Sequence, residues 1–233
     1  MTDSRSWKLR HRSFYYRDAP PPADPVLPRE KTALLVIDVE NAYLDRPERE
    51  SLDAAERERF DVWTPFHERM LRIVLPAIAG LEARFRTAGM EVLFARIACQ
   101  TEDGRDRSLS QRLPGWNNVL LPKNGRAAQI VEAVAPVGDE IVVAKTTDSA
   151  LTGTNLRLIL ANLGITHVVA CGIFTDQCVS STVRSLADES FSVIVVEDAA
   201  AAATMELHER ELEILNMIYC HVMRSDELAA YLP

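Results

Sequence analysis

The sequence lacks any long hydrophobic run. Its longest apolar stretches have the length of a buried strand, and none approaches the roughly 20 residues of a membrane span. The N-terminus, MTDSRSWKLRHRSFYYRDAPPPADP, is charged and proline-rich and has no apolar signal-peptide core. Basic residues number 26 against 34 acidic ones, giving a net charge of −8, and no basic block interleaves with aromatics. We therefore expect neither a membrane anchor nor a nucleic-acid partner.

Cysteine is scarce and shows no CxxC or other paired spacing. The four cysteines are Cys99, Cys171, Cys178 and Cys220. Three of them lie in or beside predicted strands, where a reduced cysteine packs as a small hydrophobic residue. The stretch HEREL at 208–212 lacks the second histidine of a zinc-binding HExxH helix. We expect a reduced, cytoplasmic protein.

Short apolar runs alternate regularly with segments of helical periodicity. The runs predict strands at 33–39, 91–97, 140–144, 167–171 and 191–196, with a weaker sixth at 220–223. Unbroken apolar strands are typical of a parallel sheet that is covered on both faces. Helical periodicity marks 66–87, 154–162, 175–190 and 204–217. The alternation predicts an α/β three-layer sandwich with a mostly parallel, doubly wound sheet of six strands.

The chain shows no repeat, low-complexity tract or linker that would divide it. Its 233 residues suit one large α/β domain. We predict an N-terminal arm over residues 1–30, which lies on the surface or reaches a partner subunit, and a single domain over 31–233. The charge-dense stretch 45–63 predicts a solvated helix, with a lid or a subunit contact as the alternative.

Three chemically active side chains follow strand ends. Asp38 ends the first strand, Lys145 ends the third, and the fourth runs into a turn that delivers Cys178. Singly, each has an ordinary structural explanation, such as a turn cap, a solvated lysine or a packed thiol. Together they form a reactive set, because a helix N-terminus and an ammonium stabilise a thiolate and a carboxylate can move its proton. Since active sites form outside the carboxyl ends of parallel strands, this set predicts attack on a carbonyl.

The segments that carry these residues resemble the isochorismatase-like cysteine hydrolase family. They read LLVIDVEN, VVAKTTDSALTGTNL and CGIFTDQCVSSTVRSLADESFSVIVVEDAAAA, and the resemblance spans about residues 31–224. The family includes nicotinamidases and the amidohydrolases of N-carbamoylsarcosine, ureidoacrylate and biuret. The resemblance implies a catalytic triad of Asp38, Lys145 and Cys178. It also implies a non-proline cis peptide between Ile173 and Phe174, with the N–H groups of Phe174 and Cys178 forming an oxyanion hole.

Two departures from family patterns narrow the expected activity. Nicotinamidases carry a metal-binding Asp and His cluster after the second strand, but here that stretch reads ARIACQTEDGRDRS, without histidine. We expect no metal and no cofactor. True isochorismatases usually follow the catalytic lysine with an aromatic and basic run, whereas this chain has Thr146, Thr147 and Asp148. This favours the amidohydrolase branch; a vinyl ether hydrolase and a catalytically idle binding protein are the alternatives.

Several polar residues are candidates for contact with a small-molecule substrate. Asn41 either binds substrate or fixes Asp38, and Arg96 either holds a substrate carboxylate or pairs with a neighbouring acid. Gln177 faces either the pocket or solvent, and Glu40 is expected to be structural. Because no aromatic clamp is evident, we predict hydrolysis of a small linear amide or ureide through a thioester. We also expect a homo-oligomer, either a dimer or a tetramer.

Overall fold

The computed structural model describes residues 6–233 and is built around one six-stranded sheet. Its strands are β1 (Thr32–Ile37), β2 (Glu91–Ile97), β5 (Ile141–Lys145), β6 (His167–Ile173), β7 (Ser192–Ala201) and β8 (His221–Met223). A separate antiparallel pair consists of β3 (Arg112–Leu113) and β4 (Asn117–Asn118).

Seven α-helices connect or flank the strands. They are α1 (Asn41–Leu44), α2 (Ala54–Arg69), α3 (Leu75–Ala88), α4 (Leu156–Asn162), α5 (Ser180–Asp188), α6 (Met205–Leu215) and α7 (Ser225–Leu228) in the described part of the chain. Short 3-10 turns occupy Phe14–Tyr16, Arg29–Lys31, Arg49–Ser51, Arg126–Ala128 and Glu132–Val134, and π-helical turns occupy Met70–Val74 and Thr175–Val179. Among residues 6–233, no helix combines the length and the apolar character that crossing a membrane requires.

The sheet has the order β5-β2-β1-β6-β7-β8, and every neighbouring pair is parallel. The predicted six-stranded α/β fold is thus confirmed, with a sheet that is parallel throughout. The chain builds outward from β1 to β5 and then returns to the other side of β1 at β6. This reversal places the topological switch point at the carboxyl ends of β1 and β6, where open α/β sheets bind their ligands.

Each face of the sheet is covered by its own hydrophobic core. Leu34 and Val36 of β1 belong to the core that includes Phe85 of α3. Leu35 and Ile37 belong to the opposite core, with helices α4, α5 and α6. All six residues of β1 are buried, because the strand has helices on both sides. This double burial explains why the strand sequences are unbroken apolar runs.

Two elements extend beyond their predicted bounds. Strand β7 continues to Ala201 rather than ending at 196, because residues 199–201 are buried and the strand pairs again with β6 after a register shift. Helix α2 begins at Ala54, where Asp53 and Glu56 form a capping box, and the Met70–Val74 turn joins it to α3. The solvated helix predicted within 45–63 is therefore confirmed from residue 54 onward.

The described part of the N-terminal segment packs against the same chain. Trp7 is buried and its backbone N–H donates to the Glu227 carboxylate at 3.0 Å. The Arg10 guanidinium is also buried and pairs with Glu197 and Glu227. The segment therefore covers the end of the sheet next to β7 and α7. Contact with a partner subunit stays a prediction.

Gly172 lies at the closest approach between β6 and β1. Its φ is 114°, and a Cβ at this position would lie 2.0 Å from the Ile37 carbonyl oxygen. Only glycine combines this backbone conformation with so short a distance to a neighbouring strand. The close approach of β6 to β1 at the switch point therefore requires glycine at position 172.

We predict that Gly172→Ala lowers the free energy of unfolding by about 3 kcal/mol or more, because the methyl group forces β6 away from β1. Urea unfolding of the purified variant measures the change. The matched control is Gly80→Ala in α3, where a Cβ would meet no atom within 4 Å. This control should raise stability by up to about 1 kcal/mol. Equal effects of the two variants would contradict the role given to Gly172.

Candidate active site

Lys145, Asp38 and Cys178 meet at the switch point. The Lys145 Nζ lies 2.6 Å from the Asp38 Oδ2, 3.2 Å from the Cys178 Sγ and 3.1 Å from the Thr147 carbonyl oxygen. An ammonium has three donor hydrogens, so these three acceptors satisfy it completely. The exposed fractions are 2% for Asp38, 1% for Lys145 and 4% for Cys178. The three groups thus form one buried cluster.

Three different strands bring these groups together. Asp38 follows β1 with a φ of 54°, and its backbone N–H donates to the Ala95 carbonyl at 2.8 Å. Lys145 ends β5, two strands away from β1, and its long side chain spans that separation. Cys178 lies in the π-helical turn that follows β6. The predicted convergence at one edge of the sheet is confirmed as geometry.

The turn between β6 and Cys178 contains the cis peptide that the family resemblance implied. The bond lies between Ile173 and Phe174 and is confirmed. The Phe174 carbonyl accepts hydrogen bonds from the N–H groups of Gln177, at 3.0 Å, and Val179, at 3.2 Å. These bonds fix the backbone on both sides of Cys178.

The electrostatics of the cluster favour an ion pair beside a neutral thiol. Burial raises the pKa of Asp38, and the Lys145 ammonium opposes this rise. Burial acts against the charge of Lys145, but the Asp38 carboxylate and Cys178 raise its pKa above the ordinary value. Burial, followed by the Asp38 charge, raises the pKa of the Cys178 thiol. Burial and the Asp38 charge therefore act against the thiolate that the helix N-terminus and the Lys145 ammonium favour.

Glu40, which was expected to be structural, lies in the same buried region. Its side chain is fully buried, and Oε1 accepts a hydrogen bond from the Ile97 N–H at 2.7 Å. Burial and the neighbouring Asp38 charge raise the pKa of Glu40 to about 9. At neutral pH it is therefore an uncharged acid, which spares the site a second buried negative charge.

The three candidate substrate-binding residues occupy different environments. The Asn41 Nδ2 donates to the carbonyls of Arg126 and Gln129 at 3.0 and 3.1 Å. The Arg96 Nη1 donates to the Ala128 carbonyl at 2.7 Å. Asn41 and Arg96 thus both fasten the 126–129 loop. Gln177 is exposed and precedes Cys178 in the chain.

Four aromatic side chains lie at the start of the Cys178 turn, although the sequence shows no evident aromatic clamp. The rings of Tyr43, Trp63 and Phe66 lie 5.4, 6.0 and 5.2 Å from the Phe174 ring, centroid to centroid. We call Tyr43, Trp63, Phe66 and Phe174 the aromatic cluster. Burial, followed by the Asp38 charge, raises the pKa of the Tyr43 phenol. Trp63 and Phe66 are three residues apart on one helix and therefore share a face, and this spacing is the one signal in the sequence that could have predicted the cluster.

A second missed feature lies behind the Cys178 turn. The His208 Nδ1 is 2.8 Å from the Thr175 Oγ1, and the Arg69 Nη2 is 3.2 Å from the His208 Nε2. Because a guanidinium only donates, Nε2 accepts and Nδ1–H donates to Thr175. The histidine of the HEREL stretch thus supports the Cys178 turn. Within residues 6–233, no group of three or more His, Cys, Asp or Glu side chains is placed to hold a metal ion.

The environment of His208 makes stability depend on pH. Burial, with a smaller contribution from Arg69, lowers the pKa of His208 from 6.5 to about 3. Below about pH 6.5 the unfolded chain binds a proton here and the folded chain does not. The free energy of unfolding should fall with decreasing pH, by up to about 1.4 kcal/mol per pH unit from this group.

We therefore predict that His208→Asn has a shallower fall in unfolding free energy between pH 6.5 and 5 than the wild type. Urea unfolding at half-unit pH steps measures both slopes. Between pH 7.5 and 8.5, where the imidazole is neutral in both states, the two curves should run parallel. Identical slopes below pH 6.5 would contradict a neutral, buried His208.

Comparison with known proteins assigns the family. The Isochorismatase domain model matches residues 32–227. The isochorismatase family protein YrdC of Bacillus subtilis is 28% identical over 212 residues, which are 85% of this chain and 95% of that protein. The ureidoacrylate amidohydrolase RutB of Pantoea ananatis is 30% identical over 197 residues, which are 78% of this chain and 73% of the relative.

Solved structures agree with this assignment. A cysteine hydrolase from Pseudomonas syringae pv. phaseolicola superimposes with a TM-score of 0.77 at 19% identity, covering 92% of this chain and 98% of that one, and supports the fold alone. The N-carbamoylsarcosine amidase of Thermoplasma acidophilum has a TM-score of 0.63 at 25% identity, covering 84% and 97%. The strand order, the cis peptide and the matched domain lead to one conclusion: the chain belongs to the isochorismatase family of hydrolases.

Proposed function

We propose that this hydrolase cleaves the C–N bond of a small linear amide or ureide through a thioester on Cys178. The observation that carries the proposal is the position of the Lys145 ammonium, 2.6 Å from the Asp38 carboxylate and 3.2 Å from the Cys178 thiol. A base, a cation and a nucleophile are then adjacent in one buried site. This is the set that covalent attack on a carbonyl requires.

Attack begins with transfer of the thiol proton to Asp38. As the Sγ–C bond forms, the carbonyl π pair moves to oxygen. Burial raises the pKa of Asp38, which makes it a stronger base than an exposed carboxylate. The Lys145 ammonium offsets the negative charge that develops on sulfur. In this proposal, the backbone N–H groups of Phe174 and Cys178 bind the oxyanion.

Collapse of the tetrahedral intermediate requires a proton for the leaving nitrogen. Asp38 returns the proton that it took from the thiol, and the C–N bond breaks to release ammonia or an amine. Asp38 then takes a proton from a water molecule while the oxygen of that water attacks the thioester carbon. The S–C bond breaks, the sulfur regains the proton, and the acid leaves. The net reaction consumes one water and restores all three side chains.

Two relatives support C–N chemistry by their names, an amidohydrolase of ureidoacrylate and an amidase of N-carbamoylsarcosine. The buried triad and the aromatic cluster beside it favour a small substrate. The vinyl ether alternative differs in mechanism, since it proceeds by protonation of an alkene carbon and needs no acyl-enzyme. Amide hydrolysis by this mechanism therefore requires Cys178, whereas vinyl ether hydrolysis does not.

We predict that Cys178→Ala and Asp38→Asn each lower amide turnover by about 10²-fold or more. Alanine removes the nucleophile, and asparagine keeps the shape of Asp38 but cannot carry the proton. A screen of small amides and ureides for ammonia release first identifies a turned-over substrate. Rapid quenching of the wild type should then reveal an acyl adduct on Cys178 by mass spectrometry.

The control for these variants is Cys99→Ala, which removes a buried thiol outside the triad and should retain activity. Circular dichroism checks that all three variants are folded. Full activity of Cys178→Ala together with an inactive Asp38→Asn would overturn the amidase proposal and favour the vinyl ether mechanism.

A further inference from the structure

Asp148 places an unassigned carboxylate next to the nucleophile. Its Oδ1 lies 3.9 Å from the Cys178 Sγ. Asp148 is exposed, whereas Asp38, Lys145 and Cys178 are all buried. Within residues 6–233, no lysine, arginine or histidine pairs with this carboxylate. It therefore lies on the solvent side of the thiol, accepts a hydrogen bond from it, and has no cationic partner among the described residues.

The backbone around Asp148 is firmly held. The Thr147 carbonyl accepts a hydrogen bond from the Lys145 Nζ at 3.1 Å, and the single hydrogen of the Thr147 hydroxyl is shared between the Ser149 and Thr152 carbonyls, each 2.9 Å from Oγ1. The Ser149 hydroxyl bonds the Ser185 hydroxyl of α5 at 2.9 Å. These bonds on both sides of Asp148 fix the position of its backbone relative to the triad. The charge is thus part of the site and does not belong to a loose surface loop.

A free carboxylate at this position works against the chemistry of the empty site. It opposes formation of the thiolate that Asp38 and Lys145 promote, and it repels an anionic substrate. Both effects disappear when a substrate brings a positive charge to the carboxylate.

We propose that Asp148 is a specificity-determining residue that selects substrates with a positively charged nitrogen close to the scissile carbonyl. This inference rests on the proposed amide hydrolysis and names its substrate class. Attack places the carbonyl carbon about 3 Å from Sγ, and a charge-assisted hydrogen bond places the cation about 2.8 Å from Oδ1. With Sγ and Oδ1 3.9 Å apart, an ammonium on the α or β carbon of the acyl group is within reach of Oδ1 while the carbonyl carbon contacts Sγ. The substrate class is an amino-acid amide or a similar amino-acyl compound.

Three primary amides of nearly equal size test this selection. β-Alaninamide carries an ammonium at pH 7, butyramide is neutral, and succinamate carries a carboxylate. For the wild type, kcat/KM should fall in that order. Asp148→Asn should reduce the ratio between β-alaninamide and succinamate by about tenfold or more. The matched control is Asp139→Asn, which makes the same charge change before the opposite end of β5 and should leave the ratio unchanged.

A second measurement does not require turnover. Cys178 is alkylated by 2-bromoethylammonium, iodoacetamide or iodoacetate, and peptide mapping gives each rate in the wild type and in Asp148→Asn. The substitution should raise the iodoacetate rate about fivefold or more relative to the 2-bromoethylammonium rate. Equal changes for all three reagents would overturn the role of Asp148. If the substitution changes the alkylation rates according to reagent charge but the enzyme hydrolyses no amide, the role of Asp148 in charge selection stands and the proposed function is refuted.

Discussion

The ammonium of Lys145 is the interaction on which the site depends. Removing a cation from water costs several kcal/mol unless it is paired and fully hydrogen-bonded. Asp38, Cys178 and the Thr147 carbonyl supply the three acceptors. Loss of either charged partner leaves the other buried and unpaired, so Asp38 and Lys145 stabilise the site only together. The order of the sheet meets this demand, because it brings the carboxyl ends of β1, β5 and β6 to the same edge.

The sequence contained enough information to predict the sheet and the triad. Buried parallel strands are unbroken apolar runs, so Asp38 and Lys145 stand out as the polar residues that end them. Glycine at 172 and the polar turn up to Cys178 mark where β6 becomes a helix. These are local signals, and the parallel topology converts them into proximity.

The features of the site that could not be predicted depend on tertiary contacts, which leave no local signal in the sequence. The donors of Asn41 and Arg96 bind the 126–129 loop, and the position of this loop follows from no periodic pattern. The aromatic cluster joins helices α1 and α2 to the Cys178 turn across more than 100 residues of sequence. The raised pKa of the Cys178 thiol depends on its depth of burial, for which the sequence carries no local signal.

The buried thiol also bears on the chemical durability of the protein. Peroxide oxidises cysteine through its thiolate, and the reaction needs access to sulfur. Cys178 is 4% exposed, and its thiol pKa is raised by burial and by Asp38. Burial of the sulfur and the raised pKa of the thiol therefore both disfavour its conversion to sulfenic acid. In the proposed mechanism, the carboxylate that accepts the thiol proton is also the one whose charge raises the pKa of that thiol.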